Sequence, residues 1–557
     1  MGRVLTTEDP QLSPENRHGL ILYDAPASPC CRRCRITLLE KGLDWDTVNL
    51  NLGHMEQRTA DYLEMNPNGF VPTLAHGDKI IFESGVINTY LECQFPDKPL
   101  MPADAAGTAR VRMWQWSELA MAKIFRPVMY AITAGPIKRV TRSEEESELI
   151  SRLATEDPYD LAWERKVYRL EVLNQDEIQQ HLQWLMDWVI PVERALEKQD
   201  FLVNNAFSQA DIAVYPRLEM YAGLGLEISA GQFPNAVRWM RNLEQRHSFI
   251  ASESEAVKKY SAMTRSPEMR ALRKYFATPV DQRTEEMEER VREFGASRRK
   301  ILGVEELLAN PKKVHPLPRP RALDPELEQQ SVALPQGKKL GAVTVYGYRQ
   351  SPHSERIEWL LRYLGKAYTF RNVNIAAREN HSEAFLALNP LGEVPVLRVE
   401  FVEGGEITLS DSSAIAEFLC ACLPGGERLY PAKSFELARH NMWLALEAGT
   451  HKEFTPLLRE VVFADQPELC PTIDATYRSY LTERIREKLL LVNRCLEKTP
   501  YLTGETLAYS DIAWYGRIKH MLRTSLAASI GEFKAIERWQ IRMEDCLDSR
   551  SGKHRDQ

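Results

Sequence analysis

The sequence contains no apolar run that approaches the roughly 18 residues required by a membrane-spanning helix. Residues 1–19 are polar and lack the apolar core of a secretory signal peptide. Cysteine is scarce, and its odd count of 9 in 557 residues does not suit a disulfide framework. An excess of basic residues is also missing, because the formal net charge is −7. These absences predict a cytoplasmic protein with no integral membrane segment and no nucleic-acid partner.

An internal repeat is the strongest feature that the sequence does contain. Residues 20–42 and 343–365 share a short apolar strand that ends in Tyr, a Ser-Pro loop and a helix that carries Arg. The offset from Ser28 to Ser351 equals the offset from Pro72 to Pro395, so the repeat keeps its register over this stretch. A chain of 557 residues has room for three to five domains at about 150 residues each.

Each copy alternates strands and helices and then continues with helical spacing, which predicts an α/β domain followed by an all-α domain. The predicted boundaries are an N-terminal tail at 1–18, an α/β domain at 19–103, a helical domain at 108–263, a charged and Pro-rich linker at 264–340, a second α/β domain at 341–432 and a second helical domain at 434–548. The first helical domain is the longer one, and its extra residues near 131–175 are a candidate lid.

The Ser-Pro loops place Ser28 and Ser351 directly before a predicted helix. Serine at this position is commonly an N-cap. A helix N-terminus is also an anion site, and a hydroxyl there lowers the pKa of a bound thiol by donating a hydrogen bond to the thiolate. Because no His–Asp pair stands at a matching spacing in both copies, the pattern disfavours a serine hydrolase. It favours a serine that stabilises a thiolate.

Two Val-Pro pairs, Val71-Pro72 and Val394-Pro395, stand directly before a predicted strand. Proline cannot donate a hydrogen bond to a strand ladder, so a cis bond that turns the valine backbone outward explains its position. An outward backbone offers its N–H and C=O to an extended peptide ligand.

Acidic-Ser pairs, Glu83-Ser84 and Asp411-Ser412, open the third helix of each copy. Ordinary helix capping explains them. Recognition of an amino-acid head group explains them as well, with the hydroxyl and the helix N–H groups binding a carboxylate and the acidic side chain binding an ammonium. The sequence leaves both interpretations open.

Together these parts resemble the glutathione transferase superfamily, and the resemblance occurs twice. It implies two tandem units, each with a thioredoxin-like domain that binds glutathione and an all-helical domain that holds an electrophile. In both copies it implies a catalytic serine and a capping aspartate, Asp211 or Asp511. The glutathione-binding residues that it implies are Val71, Pro72, Glu83, Ser84, Val394, Pro395, Asp411 and Ser412.

The resemblance also implies the chemistry. The glutathione thiolate would attack an apolar electrophile, with conjugation, reductive dehalogenation or ether cleavage as the outcome. Glutathione is the expected cosubstrate, a hydrophobic electrophilic small molecule is the second expected ligand, and no metal is expected. Family members are commonly dimers of single copies, so the resemblance favours either an internal pseudo-dimer of the two halves or a homodimer.

Departures from the family pattern support two alternatives. Phe70 and Glu393 precede Val-Pro where relatives often carry Gln or Lys, and Ala508 replaces the helix cap that Ser208 supplies in the first copy. These differences favour the first copy as the better glutathione site. They also motivate a tandem binding or scaffold protein without catalysis.

Three cysteines, Cys30, Cys31 and Cys34, crowd the first active-site helix and motivate the other alternative. A zinc site is disfavoured because no second matching pair is present. A glutathione-linked thiol oxidoreductase that uses Cys30 and Cys31 is the remaining hypothesis. Cys30 is the expected reactive thiol because it lies near a helix N-terminus, and Cys34 is expected to pack in the interior.

Overall fold

A computed structural model describes residues 3–6, 9, 11–309, 317, 329–466, 470 and 473–551. The chain divides into two compact units. The first unit comprises Met1–Leu91 and Ser117–Leu327, and the second comprises Glu92–Trp116 and Glu328–Gln557. Within the described residues, the helices are too short or too polar to cross a membrane.

The first unit contains a four-stranded sheet in the order β2-β1-β3-β4, with strands β1 (Leu20–Asp24), β2 (Trp45–Asn49), β3 (Thr73–His76) and β4 (Lys79–Phe82). Strand β1 pairs in parallel with β2 and antiparallel with β3, which pairs antiparallel with β4. Tyr23 lies opposite Thr73, and Thr73 lies opposite Phe82. The segments that carry Ser28, Pro72 and Glu83 therefore meet at one edge of the sheet.

The second unit repeats this sheet in the order β6-β5-β7-β8, with strands β5 (Leu340–Gly347), β6 (Thr369–Asn372), β7 (Val396–Phe401) and β8 (Glu406–Ser410). The strand directions are the same, and Val396 lies between Tyr346 and Ser410 in register. Ser351, Pro395 and Asp411 consequently meet at the equivalent edge. The predicted α/β layer is confirmed in both copies.

Helices form most of the remaining structure. Those before the second sheet are α1 (Pro29–Lys41), α2 (Ala60–Met65), α3 (Ser84–Gln94), α4 (Ala105–Met129), α5 (Gly135–Thr141), α6 (Glu144–Ala154), α7 (Pro158–Arg169), α8 (Gln175–Asp187), α9 (Val189–Ala195), α10 (Gln209–Glu219), α11 (Pro234–Glu244), α12 (His247–Ala251), α13 (Glu255–Arg265), α14 (Pro267–Ala277), α15 (Glu285–Ile301) and α16 (Val304–Ala309). Those after its first strand are α17 (Pro352–Tyr363), α18 (Glu383–Leu386), α19 (Ser412–Cys422), α20 (Ser434–Gly449), α21 (His451–Val462), α22 (Ala475–Leu496), α23 (Tyr509–Met521), α24 (Ala527–Gly531) and α25 (Lys534–Ser551). A π-helix, Tyr130–Ala134, joins α4 to α5.

The second unit includes a piece of the first copy, which the predicted domain boundaries did not separate. Ala105 and Ala109 at the start of α4 belong to the hydrophobic core of this unit. Arg112 forms an ion pair with Glu417 of α19 at 2.9 Å, and both side chains are about nine-tenths buried. The sequence pattern did not show this because it is set by long-range packing.

The first part of the predicted linker, residues 264–301, is packed structure and not a linker. Helices α14 and α15 pack against α5 around the buried side chains of Met269, Leu272 and Val291. The high charge of α15 hid this role, because its buried positions are few. The Pro-rich stretch at 315–321 lies outside the described residues, except for Leu317, which packs against the core of the first sheet.

Candidate active site

Ser28 is the N-cap of α1. Its Oγ accepts a hydrogen bond from the N–H of Cys31 at 3.4 Å, and Pro29 occupies the first helical turn. Because Oγ is the acceptor in this bond, its own proton is left to donate to a ligand. The first turn holds no acidic residue; of the arginines that follow, Arg32 pairs with Glu219 and Arg33 pairs with Glu118, so the positive potential here comes from the helix end itself.

Ser351 caps α17 in the same way, with Oγ accepting from the N–H of Ser354 at 3.4 Å. The charge beside it differs, because Glu355 stands in the first turn. Burial raises the pKa of the Glu355 carboxyl, but a hydrogen bond from His520 at 2.8 Å and the charge of Lys519 outweigh it and lower the pKa overall. A negative charge therefore lies next to the second site.

Both Val-Pro bonds are cis, at Val71-Pro72 and at Val394-Pro395. The residue before each Val-Pro pair, Phe70 or Glu393, is held in place by hydrogen bonds to its carbonyl oxygen. That of Phe70 accepts hydrogen bonds from the Tyr62 hydroxyl at 2.6 Å and from an Asn66 amide at 2.7 Å. The backbone that leads into the cis bond is thus held by the side chains of α2 and of the loop after it.

The acidic residues at the start of the third helix of each copy have positive φ angles, 68° at Glu83 and 67° at Asp411. Such backbone geometry is uncommon for residues other than glycine and is found at functional sites. Asp411 acts as the N-cap and accepts from the N–H groups of Ser413 and Ala414. The Glu83 carboxylate instead accepts from the Asn68 amide at 3.0 Å. Burial raises the pKa of both carboxyl groups.

A buried Arg–Glu–Arg cluster lies beneath each site, and the sequence analysis missed it. In the first unit, Arg33 of α1 and Arg217 of α10 both pair with Glu118 of α4. In the second unit, Arg356 and Arg517 pair with Glu447 at 2.7 and 2.6 Å. All six side chains are at most 6% exposed. Each cluster carries two cations and one anion and ties the active-site helix to the helical domain.

The second residue of the active-site helix differs between the clusters. In the second unit it is His353, whose Nε2 accepts from Arg517 at 2.9 Å, so its Nδ1 carries the proton. That proton donates to Ser412 Oγ at 3.3 Å, and Arg356 also donates to Ser412 Oγ. The Ser412 hydroxyl is thus left as a donor. In the first unit the residue is Cys30, whose Sγ lies 3.5 Å from guanidinium nitrogens of both Arg33 and Arg217.

The other two cysteines of α1 lie in the interior. Cys31 and Cys34 have no exposed surface, and burial raises the pKa of both thiols well above the usual range. Cys31 Sγ accepts a hydrogen bond from the Ala25 N–H at 3.3 Å. Cys34 therefore packs in the interior, as the sequence analysis predicts. Cys31 is unsuited to be a nucleophile because thiolate, not thiol, is the reactive form.

We expect iodoacetamide to alkylate Cys30 at least tenfold faster than Cys31 or Cys34 in the native protein, because Cys30 is partly exposed whereas burial hides the other two thiols and raises their pKa values. Peptide mass mapping over time measures the three rates. Cys470 is a matched control, since it is also partly exposed but donates its S–H to the carbonyls of Arg459 and Phe463. Equal rates at Cys30 and Cys31 would contradict this prediction.

A cleft of about 540 Å³, open to solvent, lies beside Ser28 within the first unit. Four helices each present one face to it, with lining residues three or four positions apart along each helix. The residues from α1 and the loop before it are Pro26, Ala27, Ser28, Pro29 and Arg32; those from α4 and the π-helix are Phe125, Met129 and Thr133; those from α10 and the turn after it are Pro216, Glu219, Met220, Gly223 and Leu224; and those from α13 are Val257, Tyr260, Ser261, Thr264 and Arg265.

Helix α13 supplies more of this lining than the segment predicted to be a lid. Of residues 131–175, Thr133 lines the cleft. Helix α13 approaches closely because Gly223 has no side chain: a Cβ at that position would lie 2.9 Å from Thr264 Oγ1. The cleft lies between the α/β layer and the helical domain of the first unit. Within the described residues, no group of three or more His, Cys, Asp or Glu side chains is placed to hold a metal ion.

Comparison with known proteins agrees with this architecture. Models of the glutathione S-transferase N-terminal domain match residues 22–99 and 350–422, and a model of the glutathione S-transferase C-terminal domain matches residues 174–247. The chain is 29% identical over 217 residues to protein LigF of Sphingobium sp. (strain NBRC 103272 / SYK-6). The aligned residues make up 38% of this chain and 83% of LigF. It is 44% identical over 89 residues to a zeta-class glutathione S-transferase of Euphorbia esula, which covers 16% of this chain and 40% of that relative.

Among solved structures, the β-etherase LigF from Sphingobium sp. strain SYK-6 aligns with 26% identity and a TM-score of 0.38, over 42% of this chain and 98% of that one. The family matches confirm the enzyme class that the sequence predicted, glutathione transferase, and glutathione is the cosubstrate that gives this family its name. The chain therefore carries two glutathione S-transferase N-terminal domains in tandem, with a glutathione S-transferase C-terminal domain between them.

Proposed function

We propose that the first unit is the catalytic one, and that Ser28 stabilises the thiolate of glutathione for attack on an apolar electrophile bound in the adjoining cleft. The observation that supports this most is that Ser28 lines the same cleft as apolar residues of α4 and α10, among them Phe125, Met129 and Pro216. A thiolate held at the Ser28 hydroxyl would face the bound electrophile directly, which is the arrangement that attack requires.

The chemistry of the step follows from the groups at the helix end. The Ser28 hydroxyl donates a hydrogen bond to the sulfur, and the N-terminus of α1 adds a positive potential. As the sulfur–carbon bond forms, the bond from that carbon to the leaving group breaks, and the leaving group departs with the electron pair. Conjugation, reductive dehalogenation and ether cleavage share this first step, and the proposal covers all three.

The peptide part of glutathione would bind along the edge of the first sheet. Val71 offers its backbone beside the cis bond, and Ser84 and Glu83 would bind the amino-acid head group. Phe70, which stands where relatives often have a polar residue, is stacked by guanidinium groups of Arg126 at 4.2 Å and Arg58 at 5.4 Å from the ring centroid. These cations would supply the attraction for carboxylates that Phe70 itself lacks.

The second unit is proposed to bind glutathione more weakly and to contribute little to turnover. Its Ser351, Val394, Pro395, Asp411 and Ser412 reproduce the arrangement of the first site. Glu355 nevertheless places an ionised carboxylate in the first turn of the helix that would stabilise the thiolate, which opposes a second negative charge. The first unit has Arg32 at this position in the helix, in an ion pair with Glu219, so no carboxylate stands in its first turn.

Calorimetric titration with glutathione tests this assignment. If the first unit ionises the thiol, binding at neutral pH should release close to one proton per site, measured by repeating the titration in buffers of different ionisation enthalpy. Proton release should be lost in Ser28→Ala and kept in the matched variant Ser351→Ala. Absence of binding at millimolar glutathione would favour the scaffold alternative, and release that depends on Ser351 would place catalysis in the second unit.

A further inference from the structure

An ion pair between Arg32 of α1 and Glu219 of α10 lies in the wall of the cleft beside Ser28, since both residues line it. The side chain of Arg32 is 5% exposed, whereas that of Glu219 is 21% exposed. Glu219 Oε2 accepts a hydrogen bond from Arg32 Nη1. Within the described residues, Glu219 Oε1 has no hydrogen-bond partner, and it is not among the polar atoms that are shut off from solvent. One carboxylate oxygen is therefore open to a ligand in the cleft.

Arg32 holds this carboxylate in a fixed position. Its Nε donates to the Ser252 hydroxyl at 3.3 Å and its Nη2 donates to the Phe249 carbonyl at 3.2 Å, so each nitrogen of the guanidinium group is engaged. The backbone N–H of Arg32 donates to the carbonyl of Ser28 at 3.0 Å. The carboxylate is thus anchored one helical turn, about 5.4 Å along the axis of α1, from the Ser28 cap. An acceptor that is fixed beforehand loses little freedom when a ligand binds to it.

The second unit has an ion pair at the equivalent place, but with the charges exchanged. Glu355 stands where Arg32 does, counted from the serine that caps each active-site helix, and Lys519 stands where Glu219 does, counted from the capping aspartate. Lys519 Nζ lies 3.3 Å from a carboxylate oxygen of Glu355. Either orientation joins the active-site helix to the helical domain, so this joining does not require the acid to lie on α10. A carboxylate on the helical wall of the cleft is therefore a property of the first unit.

We infer that Glu219 binds the electrophile through its open oxygen, and that the preferred electrophiles are mostly apolar molecules with a hydroxyl group away from the carbon that the sulfur attacks. This inference rests on the proposed function of the first unit. Phe125, Met129 and Pro216 supply apolar surface to the same cleft, and a polar group among such residues fixes the orientation of a ligand. A ligand of the same shape without a donor would cover the carboxylate and leave it unpaired, which costs binding free energy.

The charges around the open oxygen favour a neutral donor over a cationic one. Arg32 already pairs with the carboxylate. Arg265, which also lines the cleft, donates from its guanidinium group to the backbone carbonyl of Glu219 at 3.2 Å. An ammonium group in the cleft would be repelled by both guanidinium groups. A hydroxyl group donates a hydrogen bond and adds no charge.

Two isomeric glutathione conjugates test the inference without requiring turnover. S-(hydroxymethylbenzyl)glutathione and S-(methoxybenzyl)glutathione contain the same atoms, but only the first has an O–H donor. Each is prepared as its para and its meta form, so that the substituent points in two directions from the sulfur. Calorimetry gives the affinity of each conjugate for the full chain, for Glu219→Gln and for the control Glu253→Gln.

Glu253 is a matched control because its charge acts on the same carboxyl group. Burial raises the pKa of the Glu219 carboxyl, Arg32 lowers this pKa, and the charge of Glu253 raises it. Glu253 is not among the residues that line the cleft. Its replacement by glutamine therefore removes a neighbouring charge and keeps the open oxygen.

We expect the unaltered chain to bind the para or the meta hydroxymethyl conjugate about tenfold or more tightly than the matching methoxy conjugate. Glu219→Gln should bring this ratio within about twofold of one, because Arg32 would hold the amide oxygen and the NH2 group, a donor, would face the cleft. Glu253→Gln should keep the ratio.

Equal affinities of the isomers for the unaltered chain would overturn the inference and leave the proposed function intact, and this comparison needs no variant. A preference for the hydroxymethyl conjugate that survives Glu219→Gln would overturn it as well. Failure of every conjugate to bind the unaltered chain would overturn the inference and the proposed function together.

Discussion

Ser28→Ala should lower kcat/KM for the reaction of glutathione with a benzyl chloride by about 10²–10³-fold, the range seen when one donor to a developing or bound anion is removed. Ser351→Ala should leave the same constant within about twofold. The difference is expected because the Ser28 hydroxyl lies in a helix turn without acidic residues and beside the cleft, whereas Ser351 is followed by the ionised Glu355.

The pH dependence of this reaction separates thiolate stabilisation from a merely structural role of Ser28. The rate of the unaltered protein should level off at a lower pH than that of Ser28→Ala, because the hydroxyl favours the ionised sulfur. Thermal unfolding of both proteins controls for a loss of folding, since loss of an N-cap alone costs about 1 kcal/mol. A large fall in kcat/KM with an unshifted pH profile would show that the Ser28 hydroxyl does not stabilise the thiolate.

Local sequence patterns were sufficient to predict the parts of the site that depend on adjacent residues. A Ser-Pro before a helix indicates a cap, and both Ser28 and Ser351 are N-caps. A proline at the start of a strand indicates a special backbone, and both Val-Pro bonds are cis. The alternation of strands and helices was also visible in each copy of the repeat. Each of these features is set within a few residues, which is the range over which turn and cap chemistry acts.

Features that depend on long-range packing were not predicted. Glu118 and Glu447 occupy the same place in the two copies, but the distance along the chain from each to its second arginine, Arg217 or Arg517, differs because the first helical domain is longer. The cluster was not predicted because no local pattern shows which Arg and Glu side chains of three separate helices meet in the interior. Thr133 looked like an ordinary helical residue, since a π-helix has no clear sequence signal.

The Arg–Glu–Arg cluster of the first unit leads to the second prediction. Glu118→Ala should lower the free energy of unfolding of this unit by about 3–5 kcal/mol, because it leaves two guanidinium groups buried without their anion. Their side chains are 4% and 6% exposed, and that of Glu118 is 1% exposed. Burial raises the pKa of the Glu118 carboxyl, but Arg33 and Arg217 outweigh it, so the pKa is lowered overall.

The lowered pKa fixes the pH window of this effect. A carboxyl whose pKa is lower in the folded protein stabilises it above the unfolded value near 4.5, and this contribution is lost as the pH falls through the folded value. The difference in unfolding free energy between Glu118→Ala and the unaltered protein should therefore be largest at neutral pH and should shrink in acid. Urea unfolding at several pH values measures it, with separate probes for the two units because they need not unfold together.

Two controls make the test specific to burial. Glu447→Ala removes the equivalent anion of the second unit and should destabilise that unit instead. Glu286→Ala removes an exposed partner of Arg290 on α15, where both side chains are more than 60% exposed, and should cost less than about 1 kcal/mol. If Glu118→Ala cost no more than Glu286→Ala, the cluster would not join α1 to α4 and α10. Ser28, at the start of α1, would then owe its position to the cap and the sheet edge alone.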